Sequence, residues 1–299
     1  MNIFLTGASG YIGGSLAVAL QKHGHSVRGL TRNQGSASDL KLLGIDPVVG
    51  DLDDSQLLEA EARRSDAVIN TANADHFAAV KALASGLFGS NKKFIHTSGS
   101  SIIGDDARGN SLNLAIFSED TPLLVDPRKQ ARRDIDLFVM SLAQQGVQSS
   151  VVIPSLIYGY GHGIQKNSIQ IPFLVRNAIE NKSIQIVGQG VNTWSNIHID
   201  DLIDLYIRAL GGAPAGSFYF AENGEASFRE IAEAISKRLK IDEIKCLPAE
   251  IAADKWGAAR ALFSLGSNSR VRALRARREL GWLPVHSSVQ SWISNEMLG

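Results

Sequence analysis

The chain has 299 residues, is 44% hydrophobic and carries a formal net charge of +0. That length holds one large domain or two intergrown ones, and the balanced charge argues against a nucleic-acid partner, which needs a basic face. Its one cysteine, Cys246, excludes an internal disulfide and a Cys-rich metal site. The seven histidines show no ligand spacing, so no metal is expected, and no apolar run reaches the ~18 residues of a membrane span.

The first apolar run, Ile3-Phe4-Leu5-Thr6, starts just after Met1, so no signal peptide and a cytoplasmic location are expected. It leads into Gly7-Ala8-Ser9-Gly10-Tyr11-Ile12-Gly13 and then into a helical stretch, Ser15 to Leu20. A strand, a Gly-rich turn and a helix place a dinucleotide pyrophosphate at a helix N-terminus, where free N–H groups and the helix dipole favour negative charge. The glycines let the backbone turn tightly or approach the phosphate, where a Cβ would clash. Gly7, Ser9, Gly10, Tyr11, Ile12 and Gly13 are therefore the expected cradle.

The second strand, Ser26 to Thr31, decides the cofactor. An NAD site usually has Asp or Glu about 20 residues past the glycines, on the ribose 2′-OH. No acid lies between Gly13 and Asp39; Thr31-Arg32-Asn33 stands at the strand end instead. A guanidinium there can clamp a 2′-phosphate with two parallel hydrogen bonds, so NADP(H) is preferred over NAD(H). Three more strands are read at Asp46 to Leu52, Asp66 to Ala72 and Lys93 to Ser98, as apolar runs bounded by turn residues. Ligands of such sheets lie across the carboxyl ends of the strands. That places Asp51, Leu52, Ala72, Thr97 and Ser98 beside the cofactor.

Farther along, Gly159-Tyr160-Gly161-His162-Gly163 is a flexible loop over the site mouth, and Gln170 to Ile179 an amphipathic helix. Ile184 to Val187 is a short strand. In the extended segment Asn192 to Asp201, alternation puts Trp194, Asn196 and His198 on one side, as a wall of the substrate pocket, with Asp200 capping the next helix. Ser217 to Phe220 is an aromatic strand, and Ser227-Phe228-Arg229-Glu230 a capping box opening a helix to about Lys240.

Thr6 to Gly14, Gly50-Asp51-Leu52, Phe94 to Gly99, Pro154 to Gly159, His198 to Leu202 and Leu280 to Pro284 together resemble the extended short-chain dehydrogenase/reductases, the group of nucleotide-sugar epimerases and dehydratases. The resemblance implies an α/β fold: a Rossmann doubly wound parallel sheet with helices on both faces, plus a smaller C-terminal α/β substrate lobe. It implies a cofactor domain over 1–157, with 194–215 returning to it, and a substrate lobe over 158–193 and 216–299. Pro154 would pass the nicotinamide, and helices near 76–88 and 128–145 would form a homodimer. The family catalyses with a Tyr-x-x-x-Lys pair and a Ser or Thr after the fifth strand. No tyrosine lies between Thr97 and Val151; Arg128 and Arg132 align with the pair, and Gly99 with the serine. That leaves Ser100, Ser101 and Tyr158 as the residues to orient the oxygen of a reacting substrate, since an arginine does not give up its proton. An arginine near Arg270 or Arg272 would grip an anionic substrate. The expected activity is hydride transfer between NADP(H) and a small carbonyl or alcohol metabolite. A non-catalytic NADP-binding sensor and a nucleotide-sugar epimerase or dehydratase are the alternatives.

Overall fold

In a computed structural model that describes residues 1–297, the apolar runs of the first half become strands buried on both faces. Ile3, Phe4 and Leu5 have no exposed surface, and neither do Val68 and Ile69. Strands and helices alternate: β1 (Asn2–Thr6), α1 (Tyr11–Lys22), β2 (Ser26–Thr31), α2 (Gln34–Leu42), β3 (Asp46–Val49), α3 (Ser55–Arg64), β4 (Ala67–Asn70), α4 (Phe77–Ser85) and β5 (Lys93–Thr97). Then come β6 (Phe117–Ser118), α5 (Gln130–Ser141), β7 (Gln148–Pro154), β8 (Leu156–Tyr158), α6 (Gln170–Asn181), β9 (Ile184–Val187), β10 (Thr193–His198), α7 (Ile199–Gly212) and β11 (Ser217–Ala221). The chain continues through β12 (Glu225–Ser227), α8 (Phe228–Leu239), β13 (Ile244–Leu247), α9 (Ala249–Trp256), β14 (Val271–Arg272), α10 (Leu274–Leu280) and α11 (Val289–Asn295).

Seven strands form one parallel sheet in the order β11-β7-β5-β4-β1-β2-β3. The strand order reverses at β1, so the crevice beyond the carboxyl ends of β1 and β4 is the ligand position of a doubly wound sheet. Helices α3, α4 and α5 pack in a row on one face, and α1 and α7 pack together on the other. Two expected strands stop early for local reasons. Beyond β3, the Asp51 carboxylate accepts the N–H of Asp53. Beyond β4, the Asn70 side chain accepts the N–H of Ala72, which removes that donor from the ladder.

The smaller lobe has its own apolar core, with Leu156, Tyr158, Ile171, Trp194, Phe228 and Trp292 among its members. It holds a three-stranded sheet, β12-β10-β8, and the parallel pair β13-β9. The expected capping box on α8 is present, with Ser227 and Glu230 bonded reciprocally.

The expected division of the chain needs correction. Ser217–Ala221 belongs to the large sheet, where β11 runs parallel to β7 and all its residues are buried. Val271, Ala273, Ala276 and Trp282 also join the larger core. A short apolar strand reads alike for either sheet; the vacant flank of β7 decides between them. Conversely, Thr193–His198 pairs with β8 and β12 in the smaller sheet; its Ile197 already joins the larger core, and α7 then re-enters the large body.

Candidate active site

Local sequence builds the first half of the cleft. Gly7 turns the chain at φ +75°, and a Cβ there would lie 2.8 Å from the backbone of Thr71. A Cβ on Gly13 would lie 2.2 Å from the carbonyl oxygen of Gly7, so Gly13 is a packing residue beneath the turn rather than a cleft wall. Helix α1 starts after Gly10 with no capping side chain and no acid in its first turn. Its first N–H groups are thus left for an anion. Gly7, Ser9, Gly10, Thr31, Arg32, Asp51, Leu52 and Ala72 line a cavity of about 550 Å³, together with Leu30, Asp53, Thr71, Asn73 and His76. The uncapped helix start, the glycine turn that excludes Cβ atoms and a guanidinium at the end of β2 fit a dinucleotide.

Thr71 and Ala72 also border a second cavity of about 370 Å³, so the two form one cleft. Its walls come from Tyr11, Ile12, Ser98, Gly99, Ser100, Ser101, Arg132, Pro154, Ser155, Ile157, Ser168, Ile169, Gln170, Trp194 and Ser264. Ser100 and Ser101 open a single 3-10 turn after β5. Ser100 Oγ bonds Ser269 Oγ at 2.8 Å, which ties the turn to the second lobe. Arg132 reaches from α5, donating Nη1 to Ser101 Oγ at 3.3 Å and Nε to Asp75 at 2.7 Å. The hydrogen bonds from Arg132 hold the Asp75 carboxyl below its ordinary range. Trp194 is fixed by its indole N–H on the carbonyl of Ser267. The apolar rim comes from Ile157, from Ile169 before α6 and from a π turn, Ala259–Ser264, that brings in Ser264. Such π turns are frequent at functional sites.

Several expected site residues lie elsewhere. Thr97 alternates to the far face of β5, where its Oγ1 bonds the hydroxyl of Tyr206 in the core. Tyr158 sits in the smaller core, its hydroxyl donating to the carbonyl of His286 3.0 Å away, and burial pushes that hydroxyl far above its ordinary pKa. It therefore neither faces the cleft nor supplies a proton to it. Of the expected wall Trp194, Asn196 and His198, only Trp194 borders the cleft. Asn196 is buried against Gly224, its N–H bonding that carbonyl. His198 packs edge-on to Tyr158 and stacks on His286 at 4.0 Å. His198 also caps α7, the role expected of Asp200, which instead takes His162 of the glycine loop at 2.5 Å. The rise and twist of β10 carry its far end away from the cleft and towards α11. Arg270 and Arg272 both bond Glu225 and stay outside the cleft. Arg128 folds onto Asp126 and lies over the ring of Phe263, so of the two aligned arginines Arg132 is the one at the site.

Behind the cleft lies a buried polar layer. Asn70 joins Thr6 to His96, whose ring nitrogen Nδ1 lies 3.0 Å from the Asn70 amide. Burial, aided by Arg132, lowers His96 to a pKa of about 4, so it is neutral at pH 7. Asp136 of α5 is fully buried and accepts from Ser98 at 3.0 Å. Burial raises its carboxyl to about 7 against the opposing hydrogen bond from Ser98. Neither Asp136 nor the Asp75–Arg132 pair stands out in the sequence as part of a site. The first half of α5 is charge-rich, and only packing shows which charges turn inward.

Among the described residues no helix is long and apolar enough to cross a membrane. The NAD dependent epimerase/dehydratase family model matches residues 3–218. Oxidase ucsJ of an Acremonium species is 32% identical over 95% of this chain and 92% of its own length. A 4-hydroxy-2-methyl-3-oxo-4-farnesyl-3,4-dihydroquinoline-1-oxide ketoreductase of Stigmatella aurantiaca is 26% identical, with 94% and 92% covered. Among solved structures, UDP-glucuronic acid 4-epimerase of Bacillus cereus in complex with UDP-glucuronic acid and NAD superposes with a TM-score of 0.77 at 19% identity, over 99% of this chain and 98% of that one. With its seven-stranded sheet and its glycine turn at the carboxyl edge, the chain belongs to the NAD dependent epimerase/dehydratase family.

Proposed function

We propose that this enzyme is an NADP-dependent oxidoreductase that transfers hydride between a nicotinamide and a small carbonyl or alcohol metabolite. The observation that carries the reading is the single cleft. It runs from the glycine turn and Arg32 at one end to Ser98, Ser100, Ser101 and Arg132 at the other. Gly7, Ser9, Gly10 and the start of α1 would hold the pyrophosphate, Arg32 the 2′-phosphate, Asp51 and Leu52 the adenine side, and Pro154 the nicotinamide side. NADPH, when bound, supplies the hydride. Ser101 and Arg132 would orient the carbonyl oxygen, the guanidinium stabilising negative charge as it develops. Ser100 would hold the turn that carries Ser101, and Trp194, Ile157 and Ile169 would face the apolar part of the substrate.

Two relatives named as an oxidase and a ketoreductase favour redox chemistry on metabolites. A nucleotide-sugar substrate fits less well. Arg270 and Arg272, the expected grip for an anionic substrate, both pair with Glu225 outside the cleft. A cytoplasmic location and a homodimer complete the reading. The dimer would form through α4 and α5, which leave Phe77 and Leu137 half exposed.

Parallel titrations with NADP⁺, NADPH and NADH test the cofactor assignment, followed by a carbonyl panel with NADPH. Tight binding of both NADP forms with weak NADH, and NADPH consumption with at least one carbonyl, are expected. Strong discrimination between the two NADP forms without turnover would replace this reading with that of a redox sensor.

A further inference from the structure

We propose that the buried carboxyl of Asp136, acting through the Ser98 hydroxyl, is the proton donor for the reacting oxygen in the cleft. The inference rests on the reductase reading above. It deepens that reading by naming a proton route that none of the residues aligned with the family's catalytic pair provides.

The geometry begins at the cleft wall. Ser98 follows the last residue of β5 and borders the substrate half of the cleft. Its Oγ lies 3.0 Å from Oδ2 of Asp136, which stands behind it on α5 with no exposed surface. The other carboxyl oxygen, Oδ1, is buried and has no hydrogen-bond partner. A carboxylate wants several donors, and one hydroxyl is a poor set. The surrounding charges are few. Arg133 is the nearest cation, at 3.9 Å, beyond hydrogen-bond reach. Arg132 is turned to Asp75 and Ser101. Asp75 itself adds a like charge, and His96 on β5 is neutral at pH 7. The site thus favours the neutral acid, and its pKa of about 7 puts both forms within reach.

Three of the other cleft hydroxyls are committed as donors. Tyr11 donates to the carbonyls of Tyr158 and Gly159. Thr71 donates to Thr6, and Ser155 to Ala221. Ser100 is paired with Ser269, and Ser101 receives Arg132. Ser98 differs because its partner can reverse the bond. When Asp136 is ionised, Ser98 must donate to it. When Asp136 is protonated, its O–H donates to Ser98 Oγ, and the serine hydrogen is free to turn into the cleft.

The step then balances. The substrate carbonyl carbon gains a hydride from the reduced nicotinamide, and the π pair settles on oxygen. That oxygen takes the Ser98 hydrogen as Ser98 takes the Asp136 proton. The products are the alcohol, the oxidised nicotinamide and the Asp136 carboxylate, which solvent reprotonates through Ser98 before the next turnover. General-acid help of this kind contributes roughly 10²–10⁴-fold.

The test compares wild type, Ser98→Ala, Ser98→Thr and Asp136→Asn. The probes are NADPH with a β-keto ester, an aryl ketone, an aldehyde and a quinone. The readouts are kcat and KM against pH, the protonated-carboxyl infrared band, and melting temperature against pH. In wild type, kcat should fall as pH rises through about 7. Asp136→Asn should lower kcat by roughly 100-fold and flatten that profile with KM nearly unchanged. Ser98→Ala should match it, and Ser98→Thr should restore most of the rate. A carboxyl band present at pH 6, lost by pH 8.5 and missing from Asp136→Asn identifies the acid without any turnover. Sign also follows from folding: a raised carboxyl pKa stabilises below the unfolded value of 3.8 and is lost as pH rises through about 7. Asp136→Asn should therefore gain melting temperature relative to wild type as pH rises from 4 to 8. A carboxyl already ionised at pH 5.5 overturns the inference whatever the turnover. An unchanged kcat–pH profile in Asp136→Asn overturns the proton route and leaves the reductase reading standing. No NADPH consumption by wild type with any probe overturns both, even if the band titrates.

Discussion

The two halves of the cleft are built in opposite ways. The cofactor half is continuous in sequence at its centre: residues 7–10 make the turn, and α1 starts directly at Tyr11. The substrate half gathers residues 98–101, 132, 154, 155, 157, 168–170, 194 and 264 from segments spread over most of the chain. Backbone geometry does the work in the first, whereas side-chain placement by packing does it in the second. Turn chemistry is local and readable, while the direction in which a side chain faces after several crossovers is not.

The sharpest way to break the contrast is at Gly13, which carries no functional group at all. Gly13→Val sets a Cβ 2.2 Å from a backbone oxygen. NADPH binding should weaken by about 100-fold or more, a loss of about 3 kcal/mol, read by calorimetric titration. A binding constant within threefold of wild type would show that the turn is not the cradle.

Arg32→Ala sharpens the cofactor half. A charge-assisted bond to a phosphate contributes roughly 1.5–3 kcal/mol, so NADPH should bind about 10–100-fold more weakly. NADH should be unaffected, and an equal loss for both dinucleotides would remove Arg32 from the 2′-phosphate.

Arg132→Gln probes the other half. It breaks the bond to Ser101 and the pair with Asp75. Turnover should drop about tenfold or more, comparable to a lost transition-state interaction of 1.4 kcal/mol, while NADPH affinity stays within about twofold. If affinity falls as much as turnover, the two halves are not separable.

A smaller effect concerns folding. His198 is held at a pKa of about 4 by burial and by His286 against an ordinary value of 6.5. Its contribution to stability is present above pH 6.5 and lost as pH falls to about 4. Melting temperature should decline over that window, and His198→Gln should flatten the decline. An unchanged slope would shift the cause to His96, which is depressed to a similar value.

How much of this was open to the sequence follows the same division. The central strands, the glycine turn and the cleft positions of Gly7, Ser9, Gly10, Arg32 and Asp51 could be placed from periodicity and turn residues. Ser98, Ser100 and Ser101 could be set near the cleft because they follow a strand whose end is fixed by the fold, but the sequence sets Ser98 beside the cofactor, whereas it borders the substrate half. His198 was misplaced because strict alternation says which residues share a face, not what that face meets, and Tyr158 because a segment's resemblance says where the chain passes, not which way a side chain turns. The smaller lobe covers them with α11. Arg132 was legible only as a substitution at an aligned position, and Asp136 not at all, since burial of a charge on a charge-rich helix leaves no local mark.

The seating of β11 in the large sheet has a mechanical consequence. The chain leaves the cofactor body after β7, returns at α7 and β11, leaves again for α8 and returns at α10. No single cut releases either body intact. A fragment ending at residue 157 would lack the outermost strand and the α7 face of its own core. The two cores should therefore melt in one cooperative transition, and limited proteolysis in the loops should leave a nicked but undivided protein.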